Sequence, residues 1–360
     1  MKATQRLNEL GQSLWLSHFT RDQLNGGRLK RAVEEWSVTG LVSNLRVYGH
    51  AIKDSPVYDA DIRKRLKLDK LGEELFLDLM LEDLCHAADL LRPIYDQTDG
   101  VDGWVSLEVS PLHAYDTDCI LGAAQDLYFR VQRPNFLVGI PATKEGLPAV
   151  EEAIFAGVPV NVTLLFSRDH YLAAAGAFLR GIERRIAAGL RPDIGSVASI
   201  SVSRWDAAVA GRVPNALHNK LGVAVARCTY KACCDLLNSP RWKRAHNAGA
   251  RPQRLLWVGT ETADPGIPDD CYIRALAAPI TVNSLSESTL KTFADRGQIG
   301  ALMPADGGDC EVVLACFAEN GINIEALSAE LQDEGAASSV KSWIALMSGI
   351  ASKCATLTQV

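Results

Sequence analysis

The amino-acid sequence predicts an α/β protein of the (β/α)8, or TIM, barrel class, with additional helices at its N- and C-terminal ends. Eight short apolar runs alternate with longer amphipathic stretches, which is typical of parallel strands joined by helices. The apolar runs are nearly continuous, as expected for parallel strands that are buried on both faces. The predicted strands are Ser13–Leu16, Gly40–Ser43, Trp104–Val109, Phe136–Ile140, Val158–Phe166, Ser196–Val202, Arg254–Gly259 and Ile280–Asn283.

Helical patterns such as Leu147–Ala156 and His170–Ala188 separate most of these strands. Residues 67–94 predict a helical insertion between the second and third strands, and residues 309–356 predict C-terminal helices that pack on the outside of the barrel. No low-complexity linker divides the chain, so a single barrel domain is expected over residues 1–360.

The composition excludes several classes of protein. Hydrophobic residues make up 48% and charged residues 22% of the chain, as in a globular protein with a sizeable core. The net charge of −6 argues against nucleic-acid binding, which requires a basic surface. No apolar run approaches the length of a membrane span, and the first residues have no signal-peptide pattern. We therefore expect a cytoplasmic monomer or homodimer that acts on a small-molecule substrate.

The cysteines predict neither a disulfide framework nor a zinc site. They form no C-x-x-C pair and show no histidine spacing that suits zinc. Buried thiols in a reducing compartment are expected, with no metal and no cofactor. The nine are Cys85, Cys119, Cys228, Cys233, Cys234, Cys271, Cys310, Cys316 and Cys354.

Three polar side chains interrupt otherwise apolar strands. Glu108 lies in WVSLEV, so its carboxyl group is expected to point into the barrel, where it needs a partner or a raised pKa. Either property suits general acid or base catalysis, although a structural carboxylate is the alternative. Asn161 and Thr163 alternate within VNVTLLF and therefore share one face of their strand. They could hold a water or a substrate hydroxyl, or could form a bonded polar layer.

Further candidates follow the other strands, because the carboxyl ends of barrel strands converge on one mouth. Ser203 and Arg204 could form an anion clamp, with a surface ion pair between Arg204 and Asp206 as the alternative. His113 could be a base near Glu108 or a packed loop residue. The other residues that could contact a substrate are Ser17, Asn44, Arg46, Tyr48, Trp205 and Glu261.

Ordered motifs along nearly the whole chain resemble the transaldolase family. They include GQSLWL, VSLEVSP, IPATKEGLPAVEEAI and GVPVNVTLLFS. The resemblance implies a (β/α)8 barrel that transfers a three-carbon ketol unit between sugar phosphates. It implies that Glu108 handles protons through a water that Thr163 helps to hold. It also implies that Asn44 and Asn161 bind substrate hydroxyls and that Ser203 and Arg204 belong to a phosphate site.

The sequence departs from the family pattern at the mouth. Gly139 stands where the family has the lysine that forms a Schiff base, and Ser17 stands where it has a second catalytic carboxylate. Schiff-base catalysis needs an amine at the reacting carbonyl. The replacements therefore predict a pocket rebuilt for another task, in which the space of the amine around Gly139 is open to substrate. The other replacements are Leu45, Arg46, Leu112, Glu261 and Ala263.

Three hypotheses follow. The first is an enzyme that works without a Schiff base, namely a lyase, cyclase or isomerase that uses Glu108 on a larger, less charged substrate, in specialised metabolism. The second is transaldolase-type aldol transfer with an amine supplied from another position. The third is a non-catalytic binding or regulatory barrel. The presence of Glu108, Asn161 and Thr163 favours an enzyme.

Overall fold

Eight parallel strands close into a barrel in chain order, which confirms the predicted fold. The computed structural model describes residues 1–262 and 267–358. Each strand pairs with the next, and the last pairs with the first. The strands are β1 (Gln12–Leu16), β2 (Val38–Val42), β3 (Trp104–Glu108), β4 (Phe136–Pro141), β5 (Val160–Leu165), β6 (Ser196–Ser201), β7 (Arg254–Val258) and β8 (Thr281–Leu285).

Helices surround the barrel, and the longest of them is the last one in the chain. Short 3-10 helices occur at Pro56–Tyr58, Pro111–His113 and Asn215–Leu217. The α-helices of the described ranges are α1 (Ala3–Glu9), α2 (Arg21–Asn25), α3 (Arg28–Trp36), α4 (Leu45–Asp54), α5 (Asp59–Leu66), α6 (Gly72–Gln97), α7 (Thr117–Val131), α8 (Gly146–Ala156), α9 (Arg168–Ala187), α10 (Ser203–Val209), α11 (Leu221–Asn238), α12 (Pro240–Asn247), α13 (Cys271–Ala275), α14 (Glu287–Arg296), α15 (Cys310–Glu319) and α16 (Ile324–Thr358).

Large side chains fill the lower part of the barrel. Gly40 leaves the space that the Trp15 indole needs, because a Cβ atom at position 40 would lie 2.4 Å from the ring. Such a layer makes the barrel a packed core rather than a pore, and the cavity on the axis lies above it, at the carboxyl ends of the strands. The cluster consists of Trp15, Trp104, Leu137, Val197, Leu256 and Val282.

Below this layer, a buried ion pair closes the amino-terminal end of the barrel. An Nη atom of Arg254 lies 3.2 Å from the carboxylate of Asp102, and both side chains are about nine-tenths buried. Ser13 donates a hydrogen bond to the same carboxylate, and Arg254 also donates to the Thr281 carbonyl oxygen. The charges of this end are thus mutually compensated, unlike those of the opposite end.

A second buried ionic network joins α2, α5 and α6 outside the barrel. The guanidinium of Arg21 binds Asp83 at 2.5 Å and Glu82 at 3.1 Å, and it also contacts Asp61. The Tyr58 hydroxyl donates to Asp83 at 2.9 Å. Burial raises the pKa of Asp83, and the neighbouring Arg21 opposes that shift. The network fixes the segment that follows β1 against the long α6.

Helix α16 reaches the carboxyl-terminal end of the barrel, where it contacts α4 extensively and also touches β5. Among the described residues, no single helix is long and apolar enough to cross a membrane. The pair formed by α15 and α16, which is bent by 92°, would meet that length and composition requirement.

Candidate active site

A cavity of about 410 Å³ opens at the carboxyl ends of the strands. This is the end at which (β/α)8 barrels carry their active sites. Its wall carries hydroxyl groups from several strands and from α16 beside apolar side chains. The lining residues are Ser17, Val42, Ser43, Asn44, Leu45, Arg46, Glu108, Asn161, Thr163, Leu164, Phe166, Ser199, Ser201, Arg204, Val258, Gly259, Ser284, Gly335, Ser338, Ser339 and Ser342.

Glu108 is the carboxylic acid of this cavity wall. It is the last residue of β3, and it pairs in register with Gly139 of β4. Desolvation raises the pKa of the carboxyl group, and a hydrogen bond with Thr163 opposes the shift without cancelling it. A carboxyl group whose pKa moves upward toward neutrality can both accept and donate a proton, which is what general acid–base catalysis requires.

The space above Gly139 is not open, which corrects one expectation. A Cβ atom at position 139 would lie 2.6 Å from Cγ and 2.8 Å from Cα of Glu108. Gly139 is buried and does not line the cavity. Glu108 itself therefore occupies the space that was expected to be open, and contact of Gly139 with substrate stays a prediction.

Asn161 lies fully buried at the floor of the cavity. Its side-chain nitrogen donates to the Ser106 hydroxyl at 3.1 Å, and its side-chain oxygen accepts from the Ser199 hydroxyl at 2.7 Å. These bonds tie together β3, β5 and β6 as a polar layer. Thr163, two residues further along β5, lies at the height of Glu108 and lines the cavity. Asn161 thus fixes the floor, while Thr163 holds the Glu108 carboxyl group.

Ser17 lines the cavity beside a histidine. Its hydroxyl lies 3.1 Å from Nδ1 of His18. Burial lowers the pKa of His18, and the negative charges of Glu261 and Glu287 oppose that shift. A neutral imidazole next to a cavity hydroxyl can accept a proton from it. This pair stands at the position where the family resemblance implies a carboxylate.

Two arginines bring positive charge to the cavity. Arg46 is on α4, whose first turn is capped by the Asn44 side-chain oxygen at 3.0 Å from the Arg46 backbone nitrogen. Arg204 is on α10. Within residues 1–262 and 267–358, neither guanidinium forms an ion pair with a carboxylate. The cavity therefore presents cationic donors that are free to bind an anion.

The alternative partner for Arg204, Asp206, has another role. Asp206 is buried and accepts hydrogen bonds from the backbone nitrogens of Leu221 and Gly222 at the start of α11, and from the Tyr272 hydroxyl. The surface ion pair considered from sequence is therefore absent, since the carboxylate of Asp206 is committed to capping α11.

Tyr48 and Trp205 lie in the core and not in the cavity lining, and their contact with substrate stays a prediction. Tyr48 is fully buried, with its ring edge-on to Phe19 at 5.5 Å. Trp205 is fully buried and donates from Nε1 to the Phe166 carbonyl oxygen at 2.8 Å. Both follow a strand closely in sequence, but helix geometry turns them inward.

Three more candidates lie outside the cavity lining. His113 ends a 3-10 helix, and its backbone nitrogen donates to the Ser110 carbonyl oxygen. Ser203 faces a neighbouring groove. Glu261 accepts a hydrogen bond from the Ser286 backbone nitrogen at 3.0 Å, so it supports the start of α14. Direct substrate contact by these three residues stays a prediction. Ala263 lies outside the described residues.

The sequence reasoning missed the hydroxyl groups on α16. Ser338, Ser339 and Ser342 line the cavity from above, together with Gly335. They recur at intervals of three and four residues, which is the spacing of one helix face. That serine pattern is visible in the sequence, but nothing in it indicates that this face would cover the mouth.

One group of potential metal ligands lies away from the cavity. The ligand atoms of Cys228, Cys310 and Glu311 fall within 4.8 Å of one another. Burial and the adjacent Cys310 raise the pKa of the Cys228 thiol, and Glu311 is paired with Arg168 at 3.3 Å. A protonated thiol and an occupied carboxylate are poor metal ligands. The nine cysteines are free thiols in the structure.

The fold and its cavity define the class of protein: a (β/α)8 barrel whose site, at the carboxyl ends of the strands, carries hydroxyl groups, a carboxylic acid and two arginines. The family model for transaldolase and fructose-6-phosphate aldolase matches residues 19–350. A transaldolase of Thermobifida fusca is 38% identical over 363 residues, which cover 98% of this chain and 99% of that protein. A transaldolase of Parafrankia sp. is 38% identical over 353 residues, covering 96% of each chain. Transaldolase 2 of Nostoc sp. is 33% identical over 373 residues, covering 98% of each. The chain belongs to the transaldolase family.

Proposed function

We propose that the protein is a sugar-phosphate enzyme that cleaves or transfers a three-carbon ketol unit, with Glu108 as its proton-transfer group. The observation that carries the proposal is the position of the Glu108 carboxyl group. It lies in the wall of a cavity that Arg46 and Arg204 also line, and desolvation raises its pKa. The transaldolases to which the chain is similar favour this reaction class over the lyase, cyclase or isomerase chemistry considered from sequence.

The charge of the cavity supports an anionic substrate. Arg46 and Arg204 have no carboxylate partner among the described residues, and Glu108 is the only acidic side chain in the wall described above. Guanidinium groups bind phosphate through paired hydrogen bonds. The earlier expectation of a larger, less charged substrate has no support in this arrangement, whereas a phosphorylated sugar fits it.

The proposed chemistry is an aldol cleavage. Fructose 6-phosphate would lose the proton of its C4 hydroxyl to Glu108, directly or through a water. The C3–C4 bond would then break, with its electron pair passing toward the C2 carbonyl, and glyceraldehyde 3-phosphate would leave. Return of the proton to C3 completes dihydroxyacetone, while addition of C3 to another aldehyde completes transfer. Hydroxyl and guanidinium donors of the wall would stabilise the developing enediolate charge.

The amine is the point on which this site differs from the family pattern. No lysine lines the cavity within the described ranges, and residues 263–266 and 359–360 contain none. A Schiff base would need a lysine brought in from outside the cavity wall. We therefore propose that electrostatic stabilisation takes the place of the covalent intermediate.

Two readouts from one reaction test the proposal. The protein is incubated with fructose 6-phosphate, and the release of glyceraldehyde 3-phosphate is measured. A parallel sample is treated with sodium borohydride, and the mass of the intact protein is determined by mass spectrometry. Release without an added mass supports the amine-free mechanism. Release with a three-carbon adduct on a lysine supports the same reaction with a relocated amine. Absence of release, with or without an aldehyde acceptor, contradicts the proposed function.

A further inference from the structure

Helix α16 covers the mouth and presents one polar face to the cavity. Gly335, Ser338, Ser339 and Ser342 lie along this face, and the three serines are half-buried. We call these three residues the serine face. Serine hydroxyls on a helix ordinarily bond to solvent or to the preceding turn. None of the three has a hydrogen-bond partner in residues 1–262 and 267–358, so their hydroxyls are free to meet a ligand.

Gln332 fixes α16 to the barrel one turn before this face. Its Nε2 atom donates to the Leu164 carbonyl oxygen at 2.8 Å and to the Ala142 carbonyl oxygen at 3.1 Å. These carbonyls lie at the ends of β5 and β4. Leu164 has a φ of 58°, and the β5–β6 register breaks between Val162 and Leu165. The Leu164 carbonyl oxygen at this irregular strand end therefore lies outside the hydrogen-bond pattern of the sheet, and it accepts a hydrogen bond from Gln332.

Gly335 brings Arg204 against the same helix. A Cβ atom at position 335 would lie only 3.2 Å from an Nη atom of Arg204. The absence of a side chain thus lets the guanidinium lie against the helix one turn before the serine face, in the cavity that Glu108 also lines. One cation and three hydroxyls therefore line the same cavity.

We propose that the serine face of α16 and the Arg204 guanidinium together bind the tetrahedral oxyanion of the substrate, and that Gln332 is the residue that positions this face. Hydroxyl donors and a guanidinium are the groups that recognise a phosphate oxygen cluster. The inference deepens the proposed function and rests on its sugar-phosphate substrate. It assigns part of the binding of the substrate phosphate to the C-terminal helix α16. A search for site residues at the ends of the strands alone would not include this helix.

The first test measures binding of inorganic phosphate and of fructose 6-phosphate by isothermal titration calorimetry. The double variant Ser338→Ala/Ser342→Ala is expected to raise both dissociation constants about tenfold or more, since each hydroxyl–oxyanion bond contributes on the scale of a charge-assisted hydrogen bond. The matched control is Ser348→Ala/Ser352→Ala, on exposed positions of the same helix, which should change neither constant. Equal affinities for the serine-face variant and the wild type would overturn the inference.

The second test concerns Gln332. Gln332→Met keeps the length of the side chain and removes both donor bonds, and it is expected to weaken phosphate binding. If Gln332 acts by placing the serine face, then combining Gln332→Met with Ser338→Ala/Ser342→Ala will cost less than the sum of their separate effects. Full additivity would contradict the positioning role.

The two proposals can fail separately. Phosphate binding that depends on the serine face, without cleavage of fructose 6-phosphate, would retain the subsite and reject the proposed reaction. Cleavage of fructose 6-phosphate with a KM that is unchanged in Ser338→Ala/Ser342→Ala would retain the reaction and reject the subsite. Circular dichroism and thermal unfolding of each variant confirm that the fold is intact in either case.

Discussion

The Cγ atom of Glu108 lies 2.6 Å from the position that a Cβ atom on Gly139 would take. The two residues face each other across the β3–β4 pairing. A side chain at position 139 and the present position of Glu108 therefore exclude each other. In the present packing, the carboxyl group that we propose as the catalyst comes from a side chain that fills the space beside the Gly139 backbone.

This packing predicts that Gly139→Ala destabilises the fold. The new methyl group would approach the backbone of Glu108 as well as its side chain, so the strands must shift, at a cost of about 1–3 kcal/mol. Urea unfolding measures the change. The control is Gly122→Ala on the exposed side of α7, where no atom lies within 4 Å and where alanine should stabilise the helix by up to about 1 kcal/mol. Equal stability of Gly139→Ala and the wild type would contradict the packing described.

The raised pKa of Glu108 predicts a pH-dependent effect of Glu108→Gln on stability. Above the usual carboxyl pKa of 4.5, the unfolded chain has lost the proton that the folded protein still holds. The unfolding free energy of the wild type therefore falls as pH rises from 4.5 to the raised pKa of Glu108. Glu108→Gln removes the penalty, so the gain in unfolding free energy should be larger at pH 8 than at pH 4.

The matched control for that series is Glu152→Gln. Bonding to Arg184 lowers the pKa of Glu152, so its contribution is present above pH 4.5 and is lost as pH falls through the lowered pKa. This exposed substitution should lower stability at pH 8, by less than about 1 kcal/mol. Parallel pH profiles for the two variants would contradict the assigned directions.

The position of Tyr48 predicts that Tyr48→Phe is harmless. Its buried hydroxyl has no hydrogen-bond partner among the described residues. Because a buried polar group without a partner costs free energy, removing it should leave the unfolding free energy unchanged or raise it by about 1 kcal/mol. The KM for fructose 6-phosphate should not change. Tyr58→Phe, which removes a hydroxyl bonded to Asp83, is expected to lower stability. An equal loss in both variants would show that Tyr48 has a partner after all.

The buried network around Arg21 predicts a large loss of stability for Arg21→Ala. The side chain of Asp83 is only 1% exposed, and removing Arg21 leaves its charge without a counterion. The expected cost is about 3–5 kcal/mol in guanidinium chloride unfolding. Arg28→Ala breaks the exposed pair with Glu287 and should cost less than about 1 kcal/mol. Comparable losses for the two variants would mean that burial does not set the strength of these pairs.

The barrel could be predicted from the sequence because strand burial and the alternation of strands with helices are local patterns. Each of the eight predicted strands overlaps an observed one.

The direction of a side chain just beyond a strand was harder to predict. Tyr48 lies four residues after Asn44, but α4 begins directly after Asn44, so one helical turn carries the tyrosine into the core. Trp205 follows the same logic at the start of α10.

The position of α16 over the cavity could not be predicted, because it depends on a contact between residues far apart in the sequence. The hydrogen bond from Gln332 to Leu164 spans 168 residues, and no local pattern encodes it. The occupant of the space at Gly139 also depends on a neighbouring strand. The sequence shows a glycine at position 139, but only the β3–β4 register shows that Glu108 lies beside it and fills that space.

The turnover of fructose 6-phosphate by Glu108→Gln tests the central claim most directly. Glutamine keeps the shape of the side chain but cannot exchange the proton, so the rate of glyceraldehyde 3-phosphate release should fall about 10²–10⁴-fold, while phosphate affinity stays within a factor of two. A rate equal to that of the wild type would show that Glu108 only fills the space above Gly139, and the account of this site would be wrong.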